Sequence, residues 1–265
     1  MRAAVDQIPR YAIVLGSGLH RVVEGLDDPV EVPFSAVPGL PEATVHGHDG
    51  RILFGYLSNV PVILFDGRLH AYEGYHVEQI VKPMRLLVRL GVETVLITNA
   101  AGAVNPGLEV GDIVLIGDQI NFTFRSALAG PSRKGEDRFP DMSVPFDAEI
   151  QEVVCRVARR IGVPLRRGTY AGVLGPSFET AAEVRMLALM HADVVGMSTV
   201  SEVVVARAAG LRVGALSLVT NKATGLSTSV LSHNGALALG SDTADRMLRL
   251  LSEVVLDLAN LPKVK

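Results

Sequence analysis

The sequence predicts an α/β fold: a single three-layer domain with a mainly parallel mixed sheet flanked by helices. Three observations carry this. Short β-branched runs recur along the chain, amphipathic segments separate several of them, and no low-complexity linker divides residues 1–265. With 48% apolar residues, a chain of this length has ample material for one continuous core.

The runs at 12–15, 62–65, 94–98, 113–116, 169–173 and 213–219 have the length and composition of buried strands. A helix follows from Ile150, Val153, Val154, Val157, Ala158 and Ile161, spaced three and four apart and stopped by Gly162. Thr180 with Glu183 predicts a capping box that opens a helix running to about Met190, and Thr199 with Glu202 predicts a second box. The last helix is expected from about Asn234 towards Leu258, its apolar side including Met247, Leu248, Leu251, Val254 and Val255. Residues 118–146 lack clean periodicity and are long for an ordinary connection, so they read as a functional or interface loop. In an open α/β sheet the site is expected at the carboxyl ends of the strands.

Twenty-five Lys and Arg stand against 28 Asp and Glu, a formal charge of −3. That balance excludes the electrostatic footprint of a nucleic-acid or anionic-membrane binder and leaves small molecules or other proteins as partners. The single cysteine, Cys155, excludes an intrachain disulfide and a cysteine-based zinc site, which fits a reducing cytoplasm. The first ten residues lack the apolar core of a secretion signal, and no later apolar run is long enough to cross a bilayer.

Several post-strand segments carry chemistry. Gly16-Ser17-Gly18 offers amides and a hydroxyl to an oxyanion, but Arg21 stands where a dinucleotide fingerprint needs its third glycine, and no Gly-Lys-Ser/Thr is present. Residues 67–75, Gly-Arg-Leu-His-Ala-Tyr-Glu-Gly-Tyr, bring Arg68 for a forked phosphate contact and His70 and Tyr72 for ribose hydroxyls. His46 and His48 sit two apart without the carboxylates a metal site would add. Asn99-Ala100-Ala101-Gly102 is small enough to let backbone amides approach a ligand.

Phe178 and Glu179 place an aromatic face and a carboxylate before a helix, suited to stack on a purine and accept from its N1 and exocyclic amine. Ser198 lies where a helix N-terminus attracts an anion, with Met197 beside it. Neither Ser177 nor Ser198 has the Gly-x-Ser-x-Gly frame of a serine nucleophile. Asn221 ends a buried strand with both donor and acceptor capacity, and His233 precedes the last helix. Taken singly, each of these segments also has a plainer reading as a turn, a solvated loop, a cap or close packing.

In order, GSGL at 16–19, GHDG at 47–50, GRLHAYEGY at 67–75, NAAG at 99–102, GPSFET at 175–180, GMSTVSEV at 196–203 and TNK at 220–222 resemble the trimeric purine nucleoside phosphorylases across almost the whole chain. The resemblance implies a phosphorylase-like α/β fold and a homotrimer with sites near subunit interfaces. It implies no metal and no organic cofactor, with orthophosphate as co-substrate. Carried over by residue, Ser17, His48, Arg68, the Ala100 amide and Ser198 would hold phosphate, with His70 beside it. Tyr72 and Met197 would contact ribose, His233 the 5′-hydroxyl, and Phe178, Glu179 and Asn221 the purine. Asn221, Glu179 and His70 are thereby the expected catalytic groups. The neutral amide of Asn221 favours 6-oxopurine nucleosides, because the related methylthioadenosine phosphorylases generally carry aspartate there. Alternatives are a methylthioadenosine or adenosine phosphorylase and, in another class, a non-catalytic nucleoside-binding oligomer. The chain departs from the pattern at His20, at Ala103 and at residues 133–136, where the aromatic that reaches a neighbour's ribose pocket has no counterpart and Phe139 is not a safe substitute.

Overall fold

A computed structural model describes residues 8–45, 47–227 and 241–262. Its strands are β1 (Tyr11–Val14), β2 (Asp27–Pro33), β3 (Arg51–Leu57), β4 (Val60–Asp66), β5 (Thr94–Ala103), β6 (Ile113–Asn121), β7 (Leu165–Gly172), β8 (Val194–Gly196) and β9 (Arg212–Lys222). Its helices are α1 (Val77–Ile80), α2 (Lys82–Leu90), α3 (Ala148–Ile161), α4 (Ala181–Leu189), α5 (Val200–Ala208) and α6 (Ser241–Ala259).

Alternation within the strands creates the three layers. Ala12 and Val14 of β1 point to one side with Ile63 and Phe65 of β4 and Val95 and Ile97 of β5, whereas Ile13, Val62, Leu64 and Leu96 point to the other. The first side is covered by Met84 and Leu87 of α2 and Val203 and Ala206 of α5. The second is covered by Ile150, Val153, Val154 and Val157 of α3 and by Met247, Leu250, Leu251, Val254 and Val255 of α6. The apolar stripe read from residues 150–158 is therefore the buried face of α3. That helix opens on Asp147, whose side chain accepts from the Ile150 amide, and ends at Gly162 as expected.

The sheet runs β2-β3-β4-β1-β5-β8-β7-β6-β9, and β9 also pairs with β5. Strands β5, β8, β7, β6 and β9 thus close a circuit, with β2, β3, β4 and β1 extending from it as an open flank. The sheet is mixed: β4, β1, β5 and β9 run parallel in succession, while β5 and β8 are antiparallel. The closed circuit brings the end of β8 back over the end of β5, where Gly102 pairs with Val195.

Several elements differ from the sequence expectation. The segment 99–102 is the carboxyl end of β5 itself and not a loop after it. β6 extends to Asn121, so the irregular connection to α3 starts after that residue. The Thr180–Glu183 capping box forms, with the Glu183 amide donating to Thr180 Oγ1 at 3.2 Å and the Thr180 amide to Glu183 Oε2 at 2.7 Å. The Thr199–Glu202 box does not form: Thr199 takes φ 70° and makes no side-chain cap hydrogen bond. Its hydroxyl is engaged by Asn99 instead, at 3.0 Å, and Glu202 is buried elsewhere. The predicted start of the last helix at Asn234 lies outside the described residues; from Ser241 to Ala259 the helix is α6.

The turn after β1 is pinned to β5. The Gly16 amide donates to Thr98 Oγ1 (3.1 Å), whose hydroxyl donates to the Val14 carbonyl (2.9 Å). A Cβ at residue 16 would lie 2.5 Å from Asn99 Cα and 3.0 Å from the Ala100 amide nitrogen, both backbone atoms. Gly16→Ala is expected to destabilise the protein by about 2 kcal/mol, the cost of overpacking against backbone, read as a lowered midpoint in urea unfolding.

Candidate active site

Parallel β4, β1, β5 and β9 deliver their carboxyl ends to one edge of the sheet, and a cleft of about 260 Å³ opens there. Ser17 reaches it from the turn after β1, Arg68, His70 and Tyr72 from the segment after β4, Ala100 from β5 and Asn221 from the end of β9. Met197 and Ser198 arrive from β8, and Phe178 and Glu179 from the loop between β7 and α4. Ser17 and Arg68 therefore share one cavity with Glu179 and Asn221, although they are far apart in sequence.

Arg68 dominates the polar wall. Its side chain is 2% exposed, Nη1 donates to Ser198 Oγ at 3.2 Å, and Nε lies 3.5 Å from Glu202 Oε1. Among the described residues, neither Nε nor Nη2 has a hydrogen-bond partner. A desolvated guanidinium with unused donors at the wall of a cleft is a receptor for an anion. Ser17 Oγ hydrogen-bonds His48 Nε2 at 2.9 Å, so His48 supports the same wall from just behind the lining.

His48, His70 and Tyr72 form a column of rings, with centroids 5.1 Å apart for the first pair and 4.7 Å for the stacked second pair. Burial lowers the His70 pKa below its ordinary value, favouring the neutral ring, and pushes the Tyr72 phenol up to about 12. Glu73 orients His70: its Oε1 accepts from the His70 amide (2.7 Å) and lies 3.1 Å from Nδ1. Its other oxygen accepts from both the amide and the hydroxyl of Thr44, fastening the loop at residue 44 to the same wall.

The remaining wall suits a flat, partly polar ligand. Phe178 is 38% exposed, and burial raises the pKa of Glu179 beside it. Gly175 lets this loop close on Met197: at φ +66°, a Cβ there would meet Met197 Sδ at 2.2 Å. The Asn221 amide has one consistent orientation. Nδ2 donates to the Lys222 carbonyl (3.1 Å), which only accepts, so Oδ1 faces the Thr220 hydroxyl (2.9 Å). The second amide hydrogen is left for a ligand acceptor.

Every proposed ligand-contacting residue that falls in the described part of the chain lines this cleft, except His48, which hydrogen-bonds Ser17. His46 and His233 lie outside the described residues. Sequence reasoning missed a buried polar scaffold. The Tyr170 hydroxyl accepts from the Ser198 amide (3.2 Å), and Ser217 Oγ donates to Asn99 Oδ1 (2.6 Å), which in turn holds Thr199. The available signal was a tyrosine inside a run read as buried, since a buried phenol needs a partner. Among the described residues, His20, Asp49 and Asp66 are spaced to share a cation, but Asp66 is already held by Arg51 (2.8 Å) and His20 (3.1 Å).

The Glu73 contacts set a pH dependence. Burial alone would raise its carboxyl, but hydrogen bonds from His70 and Thr44 outweigh burial and hold it at about 2, below the ordinary 4.5. A lowered folded-state pKa means stability that is present above pH 4.5 and lost as pH falls towards 2, about 3 kcal/mol in all. Glu73→Gln should therefore be less stable than wild type at neutral pH, and the gap should close between pH 4.5 and 2; denaturant titrations at stepped pH measure it.

Comparison with known proteins gives the same picture. Residues 10–256 match the phosphorylase superfamily. The chain is 40% identical to purine nucleoside phosphorylase 1 of Bacillus subtilis over 252 residues, covering 95% of this chain and 93% of that protein. It is 41% identical to the purine nucleoside phosphorylase of Bos taurus over 255 residues, 93% of this chain and 88% of that one. A Schistosoma purine nucleoside phosphorylase solved with hypoxanthine superposes with a TM-score of 0.91 at 34% identity, over 99% of this chain and 94% of that one. The Schistosoma mansoni enzyme solved with adenosine gives 0.91 at 35%, over 99% and 95%. Likeness of this extent in both sequence and fold means that the chain belongs to the phosphorylase superfamily and, within it, to the purine nucleoside phosphorylases.

Proposed function

We propose that the cleft carries out phosphorolysis of 6-oxopurine ribonucleosides and deoxyribonucleosides such as inosine and guanosine, releasing the free base and (deoxy)ribose 1-phosphate. The observation that carries this is the shared cavity: a buried arginine with unused donors and a Phe-Glu-Asn group line the same space. Ser17, His48, Arg68, the Ala100 amide and Ser198 bind orthophosphate, with His70 beside it. Tyr72 and Met197 hold the ribose. Phe178 packs on the base, Glu179 accepts from N1, and Asn221 donates to N7.

In this reaction a phosphate oxygen bonds to the anomeric carbon as the carbon–nitrogen bond breaks, and the bonding pair leaves with the purine, which takes up a proton. The sugar gains cationic character and the base gains negative charge, so the site must stabilise both. Phosphate serves as nucleophile and counter-charge, and no protein nucleophile is required. The free amide hydrogen of Asn221 meets N7 as charge accumulates there. Orthophosphate is the co-substrate, with no metal and no organic cofactor.

The proposal extends to a cytoplasmic homotrimer. The connection between β6 and α3 exposes Phe124 (86%) and Phe139 (85%), apolar surface of the kind a subunit interface covers. Sedimentation equilibrium should give three times the chain mass of 28.2 kDa.

Incubation with inosine should release hypoxanthine and ribose 1-phosphate only when orthophosphate is present; release without phosphate, or none with it, refutes the reading. Asn221→Ala should lower kcat roughly 10²-fold, the cost of one preorganised transition-state donor. Asn221→Asp should shift the inosine-to-adenosine ratio of kcat/KM towards adenosine, and an unchanged ratio would defeat the specificity assignment.

A further inference from the structure

Glu202 is placed by sequence to cap its own helix, and it does not. Thr199 takes φ 70° with ψ −56°, a positive φ at which a β-branched side chain is strained. The buried series Ser217 to Asn99 to Thr199 holds it there. The consequence is that the turn presents two groups to one guanidinium. Ser198 Oγ takes Arg68 Nη1 at 3.2 Å, and Glu202 Oε1 stands 3.5 Å from Arg68 Nε, with both charged side chains 2% exposed. Glu202 does not line the cleft; it lines a smaller neighbouring cavity, whereas Arg68, with which it pairs, lines the cleft.

We infer that Glu202 is the positioning residue for Arg68, fixing the guanidinium against Ser198 so that its remaining donors meet phosphate. The inference rests on the proposed reading of Arg68 as a phosphate ligand. Two effects of the carboxylate oppose each other. As an anion near an anion site it repels phosphate; as the counter-charge of a buried cation it holds that cation in one geometry. Because Glu202 is paired with the guanidinium and does not line the cleft, its repulsion of phosphate is offset by Arg68, and orientation is the larger effect. The two effects predict opposite signs for one substitution.

Glu202→Gln keeps the shape and removes the charge. Phosphate KM should rise about tenfold, with inosine KM and kcat at saturating phosphate within twofold of wild type. A phosphate KM that is unchanged or lower overturns the inference, as does an equal rise in both KM values, which is what a general loss of structure would give. Should Glu202→Gln fail to fold, Glu202→Asp keeps the charge and shortens its reach: a rise confined to phosphate KM supports the inference, and no rise or an equal rise in both overturns it. The rise in Tm on adding orthophosphate is read in parallel because it needs no turnover. If wild type releases no hypoxanthine, the functional reading fails by itself. The inference is then decided by whether Glu202→Gln loses most of the phosphate-induced Tm rise that wild type shows.

Discussion

A guanidinium removed from water needs acceptors and a counter-charge, and the burial of Arg68 imposes that demand on its surroundings. Ser198 supplies an acceptor and Glu202 the charge, and both come from the turn that opens α5. That turn passes through a conformation unfavourable for Thr199, so it needs support of its own. Asn99 at the end of β5 and Ser217 in β9 provide it, while Tyr170 of β7 holds the Ser198 amide. One buried cation thus ties together three strands of the closed circuit and the helix that follows it.

The closed part of the sheet makes this arrangement possible. In an open sheet, β8 would continue away from β5; here β9 returns to pair with both β5 and β6, and the end of β8 is brought against Ala100. A Cβ at Gly196 would lie 3.2 Å from the Ala100 carbonyl oxygen and 2.5 Å from the Tyr170 hydroxyl. The backbones at the floor of the cleft touch, which leaves little freedom for the side chains they carry.

Much of this was legible in the chain. Strands buried on both sides announce themselves as apolar runs, and the stripe on α3 and the box at Thr180 encode their helix by local rules. The flank β2 and β3 was missed because β2 is largely exposed and carries charge, so it lacks the apolar run that marks a buried strand. Its neighbour β3 joins β4 through Ser58-Asn59, both at positive φ, a hairpin signal weaker than Asn-Gly. Glu202 was misread for a physical reason: a capping box is a local preference worth about 1 kcal/mol, and a buried arginine outbids it. Tertiary partners of that kind leave no mark in sequence spacing. Several cleft-lining residues were easier, since Ser17, Arg68, His70, Tyr72, Phe178 and Glu179 follow strands whose ends could be located.

Charge is distributed in the cleft so that direction matters more than attraction. Burial disfavours the imidazolium form of His70, and Glu73 beside it is an anion, so Arg68 is the only fixed cation among the described cleft-lining residues. The protein as a whole carries −3, which offers an anionic substrate no long-range steering. An anion held here depends on hydrogen bonds aimed at it from several strand ends at once. Such a site is sensitive to the placement of each donor, which is why so much buried polar structure stands behind a cleft of this size. The same logic governs the other wall, where Lys222 and Thr220 leave the Asn221 amide no equivalent flipped state. A donor already aimed before the bond breaks needs no reorganisation when charge appears on the base, and that preorganisation is what a neutral amide can contribute to the reaction.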